Sequence, residues 1–228
     1  MTHIYRYFTT ANAGRTSVLV ALALASGACA SWNRKEQGAV VGAGTGAVVG
    51  GVIGNNTGST ARGAIIGAVI GGAAGAIIGH QMDQQAKELE NSLPGAAVER
   101  VGEGIQLTFE SGLLYDFDSD VIKTEAGRNL QTLATSLQDY PDTELLIVGH
   151  TDSQGDAEYN QALSTRRAAS AQRYLIAYGV LNNRLQLSGR GEWEPIATND
   201  TEDGRRINRR IEVAIYRGVP DSPAPLRK

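Results

Sequence analysis

Two stretches in the second half of the chain concentrate side chains able to do chemistry. The first is Gly149-His150-Thr151-Asp152-Ser153-Gln154-Gly155, followed by Tyr159-Asn160, Leu163-Ser164 and Arg166-Arg167-Ala168. The second is Gly189-Arg190-Gly191-Glu192, then Pro195, Asn199 and Gly204-Arg205-Arg206-Ile207-Asn208-Arg209-Arg210. An imidazole two residues from a carboxylate, as in His150 and Asp152, is a pair that acid–base or metal chemistry uses. The rest of the chain does not supply partners for such work. It has 3 His among 228 residues, and no HExxH pattern, Ser nucleophile elbow or paired-Cys zinc spacing. His150 therefore reads as a structural residue at a strand end, and the chain as a non-enzyme with no metal and no cofactor. Taken singly, Asp152 reads as a turn residue ahead of Ser153-Gln154-Gly155. Arg166-Arg167 reads as a solvated helix face. The run from Gly204 to Arg210 reads as a surface charge cluster or an Arg network bracing the last strand.

The elements that position these residues follow from periodicity. Ile105-Gln106-Leu107-Thr108-Phe109 alternates as a half-buried strand does. Leu130, Leu133, Ala134 and Leu137 keep helical spacing, which ends before Pro141. The continuous apolar run Leu145-Leu146-Ile147-Val148 predicts a buried central strand. Tyr159 to Tyr178 predicts a helix with Leu163, Ala171, Tyr174, Leu175 and Tyr178 near one side, ended by Gly179. Leu185–Ser188 is a short strand, and Ile211, Val213 and Ile215 alternate with Glu212 and Ala214 in a last one. The order strand, helix, strand, helix, strand, strand predicts an α+β domain over residues 96–218. It is an α/β sandwich with helices on one face of a mixed sheet. Asp152 then falls just past a rigid strand, and Arg167 on a helix.

The first 95 residues are of another kind. Hydrophobic residues make up 42% and charged residues 20% of the chain, which suits a folded protein. A net charge of −3 argues against a nucleic-acid binder. Arg6 and Arg15, the apolar run Val18–Ala25 and the small residues Ser26-Gly27-Ala28 predict an export signal over residues 1–28, too short to span a bilayer. The single cysteine, Cys29, follows it directly and has no partner for an internal disulfide. Leu24-Ala25-Ser26-Gly27-Ala28-Cys29 resembles a bacterial lipobox, although Ser26 stands where that pattern prefers Leu. The resemblance implies cleavage before Cys29 and its acylation, with residues 29–37 as a lipidated linker. Ordinary cleavage nearby would instead leave a periplasmic thiol. Ala30 after the Cys matches the sorting pattern for the outer membrane.

Glycine, 28 in all, concentrates in residues 38–79. GAVVGAGTGAVVGGVIG from Gly38 to Gly54 is repeated as GAIIGAVIGGAAGAIIG from Gly63 to Gly79, with glycine at every fourth position. A four-residue step lines those glycines along one helix face, where two helices can approach closely. Glycine costs about 1 kcal/mol per residue in a water-exposed helix. The expectation is a glycine-zipper helical hairpin that dips into a membrane or packs with copies of itself, giving a homo-oligomer. The alternative is a flexible spacer. Residues 80–95 predict a helical linker, with Ala86, Leu89 and Leu93 aligned and Pro94-Gly95 as its stop. Residues 219–228 predict a disordered tail.

The motif series from Leu114 to Tyr216 resembles the OmpA-like peptidoglycan-binding family, which includes peptidoglycan-associated lipoproteins and flagellar stator anchors. The resemblance implies a non-catalytic tether that binds the meso-diaminopimelate residue of peptidoglycan. Asp152 matches the family's ammonium-binding aspartate and Arg167 its carboxylate-binding arginine. Asn160, Leu163, Thr151, Arg205 and Arg209 are further candidates, and Phe117 with Asp118 would form a wall. The chemistry is consistent. A zwitterionic terminus needs an acceptor-only group and a planar guanidinium at a set separation. Lipidated at Cys29, such a protein would sit on the periplasmic face of a Gram-negative outer membrane, with outer-membrane lipid as its second partner. Two rival readings are an assembly protein that oligomerises through the glycine hairpin and a peptidoglycan hydrolase.

Overall fold

The computed structural model describes residues 59–71 and 76–217, all within one compact unit. The export signal, Cys29, the first glycine copy and the tail from 219 lie outside the described residues. Among the described residues no helix is long and apolar enough to cross a membrane.

The chain runs α1 (Thr60–Gly71), α2 (Ala76–Ser92), β1 (Ala96–Val101), β2 (Gly104–Glu110), a short α3 (Ser111–Leu114), α4 (Thr124–Asp139), β3 (Thr143–Gly149), α5 (Ala157–Ala177), β4 (Leu185–Gly189), α6 (Glu202–Asn208) and β5 (Arg210–Arg217). The five strands form one mixed sheet in the order β1-β2-β5-β3-β4. β5 lies between β2 and β3 and is antiparallel to both, while β3 and β4 pair in parallel. α5 is the crossover that a parallel pair requires.

The main core lies under α2, α4 and α5. It takes Leu130, Leu133 and Leu137 from α4, Leu145 and Ile147 from β3, Ala168, Ala171 and Leu175 from α5, and Ile211, Val213 and Ile215 from β5. Met82, Ala86, Leu89 and Leu93 join it at intervals of four, three and four residues. Such intervals line one face of a helix. α2, read from sequence as a linker, thus packs as part of the domain.

The other sheet face is covered too. β5 is buried along nearly its whole length, so the alternation Ile211, Val213, Ile215 does not mark a solvated face opposite. Ala61, Ala64 and Ile65 of α1 pack there on Leu146, Val148, Ala214 and Tyr216. The sequence expectation placed helices on one face. The long helices α2, α4 and α5 share that face, and α1, from the second glycine copy, adds cover on the opposite one. β1 and α6 were also not expected.

Two glycines bring α5 down onto the sheet. Gly149 and Gly189 are register partners on β3 and β4. A Cβ on Gly149 would strike the Ser164 carbonyl, and one on Gly189 would strike Thr165. Without those methyls the helix backbone rests on the strand ends. Asn208 serves the loop beside them. Fully buried, its Oδ1 accepts from the Ile196 and Ala197 amides at 2.9 and 3.0 Å. Its Nδ2 donates to the Ala197 carbonyl and Asn199 Oδ1, both at 2.9 Å. Asn208→Ala leaves those buried groups without partners. We expect a loss of about 3 kcal/mol, measured by urea denaturation.

Candidate functional site

β3 ends at Gly149, and the chain turns away through His150, Thr151 and Asp152. Asp152 is 6% exposed. Its Oδ1 accepts from the Gln154 amide at 3.0 Å, a short Asx-type closure that holds the turn. Its Oδ2 accepts from Arg209 Nη1 at 2.5 Å. The turn role and the charge role read for Asp152 therefore coexist. Asn160 on α5 fastens the same turn, since its Nδ2 donates to the Asp152 and Gln154 carbonyls at 3.3 and 3.0 Å and to Glu192 Oε2 at 2.9 Å.

α5 starts at a capped end. Asp156 accepts from the amides of Glu158 and Tyr159 at 2.9 and 3.1 Å. The Asn160 amide donates to the Asp156 carbonyl at 2.9 Å. The amides of Glu158, Tyr159 and Asn160 at this helix start are thus already used. Seven residues along α5 from Asn160, two turns and roughly 10 Å by helical rise, comes Arg167 on the same face. Leu163, buried, lies between them.

Arg167 is 5% exposed. Its Nε donates to the Ser119 carbonyl at 2.8 Å, its Nη2 reaches the Asp116 carbonyl at 3.5 Å, and its guanidinium lies 5.3 Å from the Tyr115 ring centroid. Among the described residues no carboxylate comes within ion-pair distance of it. Burial pulls its pKa below the ordinary arginine value, with Tyr115, Asp118, Tyr159 and Asp120 opposing that. A buried guanidinium served only by neutral carbonyls and a ring favours an incoming anion.

The 116–121 loop lies against Arg167. Asp118 has a left-handed backbone, φ 56°, and accepts a hydrogen bond from the Tyr159 hydroxyl. Phe117 beside it is 97% exposed. Arg166 sits 5.7 Å from the Tyr159 centroid and 3.9 Å from Asp120. Behind Arg167, the Tyr115 hydroxyl donates to the Arg167 carbonyl at 2.7 Å. Thr151 is buried, and its Oγ1 finds no partner among the described residues.

The second motif closes the Asp152 side. Arg209 bridges Asp152 and Glu202, at 2.5 and 2.6 Å. Burial by itself opposes the Arg209 charge, but the hydrogen bonds it donates to Glu202 and Asp152 outweigh it and raise its pKa above the ordinary value. Arg209 and Arg205 together hold Glu202 below the usual carboxylate range. Arg205 does not reach Asp152; it grips Glu202 at 2.9 Å and the Asn199 carbonyl at 2.9 Å, bracing the loop. Sequence reasoning missed Glu202, Tyr115 and Ser119, and quoted Glu192 within the second motif without giving it a role. Only Glu202 carried a signal, three residues before Arg205 and seven before Arg209 after the N-cap Thr201.

His150 is fully buried, and neither ring nitrogen has a hydrogen-bond partner among the described residues. Its Nε2 lies 3.8 Å from Glu212 Oε2. It faces the second side of the sheet, with Arg210 and Arg190 near, rather than any nucleophile. Burial, then Arg210 and Arg190, push its pKa well below 6.5.

Comparison with known proteins gives two family matches. The OmpA family matches residues 114–209, and a YMGG-like Gly-zipper family matches residues 12–83. The probable lipoprotein YiaD of Escherichia coli is 35% identical over 140 residues, 60% of this chain and 64% of that protein, so the chain spans just under two thirds of this relative. The peptidoglycan-associated lipoprotein of Brucella melitensis is 34% identical over 125 residues, covering 55% of this chain and 74% of that one. Among solved structures, the cell wall anchor of the type VI secretion system (T6SS) from Pseudomonas aeruginosa superposes with a TM-score of 0.53 at 26% identity. That match covers 60% of this chain and 97% of the other.

The His150 shift has a sign. The unfolded imidazole takes up a proton near its ordinary pKa of 6.5, and the folded one resists. Stability from this residue is complete above that pKa and is lost as pH falls. In urea melts at pH 7 and pH 5, the wild type should therefore lose stability at the lower pH, and His150→Leu should show a smaller pH difference than the wild type.

Proposed function

The chain belongs to the OmpA family, and from that premise we propose that it is a non-catalytic tether joining the outer membrane to the cell wall. The C-terminal domain grips the meso-diaminopimelate residue of a peptidoglycan stem peptide. Asp152 takes the ligand's ammonium and Arg167 its carboxylate. One observation carries this reading: Arg167, buried and without a carboxylate, lies two helical turns along α5 from Asn160, which fastens the turn that holds the buried Asp152. Asn160 and Leu163 form the floor and Thr151 offers its free hydroxyl. Phe117 and Asp118 stand as the wall, and Arg205 and Arg209 steady the aspartate side. The name of the Brucella relative, a peptidoglycan-associated lipoprotein, supports the same partner.

At the other end, residues 1–28 are the export signal and Cys29 the acylated anchor. The glycine repeat over residues 38–79 is a second membrane or self-association element, and the wall-binding domain extends to residue 218. A single acyl chain anchors only marginally, so a second membrane contact has a use. Binding without bond cleavage suits a polymer with many weak sites. Effective concentration keeps the protein on the wall while each contact stays reversible.

The test is co-sedimentation of the full mature chain with purified sacculi, with free diaminopimelate as competitor. Asp152→Asn and Arg167→Ala should each lower the bound fraction at least tenfold with the circular dichroism spectrum unchanged, and the competitor should release the wild type. Undiminished sedimentation of both variants would remove the site. Release of soluble muropeptides by the wild type would replace the tether with a hydrolase. Sedimentation that depends only on residues 38–79 would favour the assembly reading.

A further inference from the structure

The second sheet face holds a set of buried charges that the wall site does not use. Arg190 and Glu194 pair at 3.2 Å, and Arg210 and Glu212 at 2.8 Å. Ser59 and Thr60 bind to this set. The Ser59 hydroxyl donates to Glu212 Oε2 at 2.7 Å and caps the helix by accepting from the Arg62 amide at 3.2 Å. Glu194 takes the Thr60 amide at 3.0 Å and its hydroxyl at 2.5 Å, and Arg190 Nε donates to the same hydroxyl at 2.7 Å. One turn further on, Ile65 sits over Gly104, where a Cβ would come within 2.5 Å of its Cγ2.

We infer that Ser59–Ile66 is a releasable strap. It is seated on the sheet in one state and freed from it in another, with the domain folded in both. Three features point to this. The strap contributes one large apolar side chain and two alanines to a cluster separate from the main core. The acceptor charges are already mutually paired, so departure strands no unpaired charge. The strap also opens the second glycine copy, GAIIGAVIG, an apolar segment whose expected destination is a bilayer or another glycine helix. Seated on the sheet, Ala61, Ala64 and Ile65 are withheld from that destination.

The consequence rests on the tether reading. Seated, the strap fixes the chain to the sheet at Ser59. With it released, the next fixed point is near Ala76, 17 residues later. A contour of ~3.3–3.6 Å per residue makes the released stretch up to about 60 Å long. The protein then has two reaches between membrane and wall, and the short one is held by specific hydrogen bonds rather than by chain stiffness.

Hydrogen–deuterium exchange on the full chain tests this, wild type beside Ile65→Ala. Amides of residues 63–66 should exchange at least tenfold faster than those of residues 145–148 and 211–216. Ile65→Ala should widen the gap at least fivefold by speeding the first set alone. Exchange of both sets at one rate would make the strap an integral part of the domain and overturn the inference. Fast strap exchange indifferent to Ile65→Ala would mean that the strap is never seated, which overturns it equally. Sacculus binding measured on the same samples keeps the two readings apart. Differential exchange without sedimentation removes the tether and leaves the strap, and the reverse removes only the strap.

Discussion

Everything at the candidate site hangs on how closely α5 approaches the ends of β3 and β4. Gly149 and Gly189 lie side by side, and the carbonyl of Ser164 and the side chain of Thr165 occupy the space their methyls would fill. That contact sets the height of the helix over the sheet. The height in turn decides where Asn160 meets the turn after β3 and where Arg167 meets the 116–121 loop. Asn160 and Arg167, seven positions apart on α5, are thus placed together because a rigid helix rests on a rigid sheet. A methyl at either glycine would lift the helix and carry both residues with it.

The electrostatics fall into two separate systems, one on each side of the β3–β5 region. At the candidate site, Asp152 is satisfied by an amide and by Arg209, whereas Arg167 has only carbonyls and a ring. That asymmetry leaves the arginine end hungrier for a counter-ion than the aspartate end. On the second sheet face, two ion pairs neutralise each other in a dry setting, and His150 stays uncharged beside them. The first arrangement suits reversible capture of a small zwitterion. The second suits docking of the chain's own Ser59-Thr60 pair.

The glycine repeat gains a meaning in three dimensions that its spacing does not announce. Periodic glycine predicts close helix approach, and α1 does approach closely, but what it meets is the back of the sheet over Gly104. The contact is made by Ala61, Ala64 and Ile65, with Ile65 filling the space that the absent side chain of Gly104 leaves open. The polar contacts of Ser59 and Thr60 then select which stretch is seated.

Periodicity by itself determined six of the principal elements, because burial imposes a step of two on strands and about 3.6 on helices. Leu145–Val148, Leu130–Leu137 and the alternation of β5 were all readable in that way. Asp152 and Arg167 stand out only through the resemblance of the motif series to the OmpA-like family, since read singly they suggest a turn and a solvated helix face. Other features depended on partners far along the chain. The bridge from Arg209 to Asp152 spans 57 residues and the cap from Glu194 to Thr60 spans 134. Neither the burial of Glu212 nor the capture of α1 by the sheet leaves a periodic trace, because each depends on which surfaces come together after folding. Local chemistry is written in neighbouring residues. Whether a charge is paired, buried or free is decided only when the tertiary structure brings distant groups within a hydrogen bond of each other.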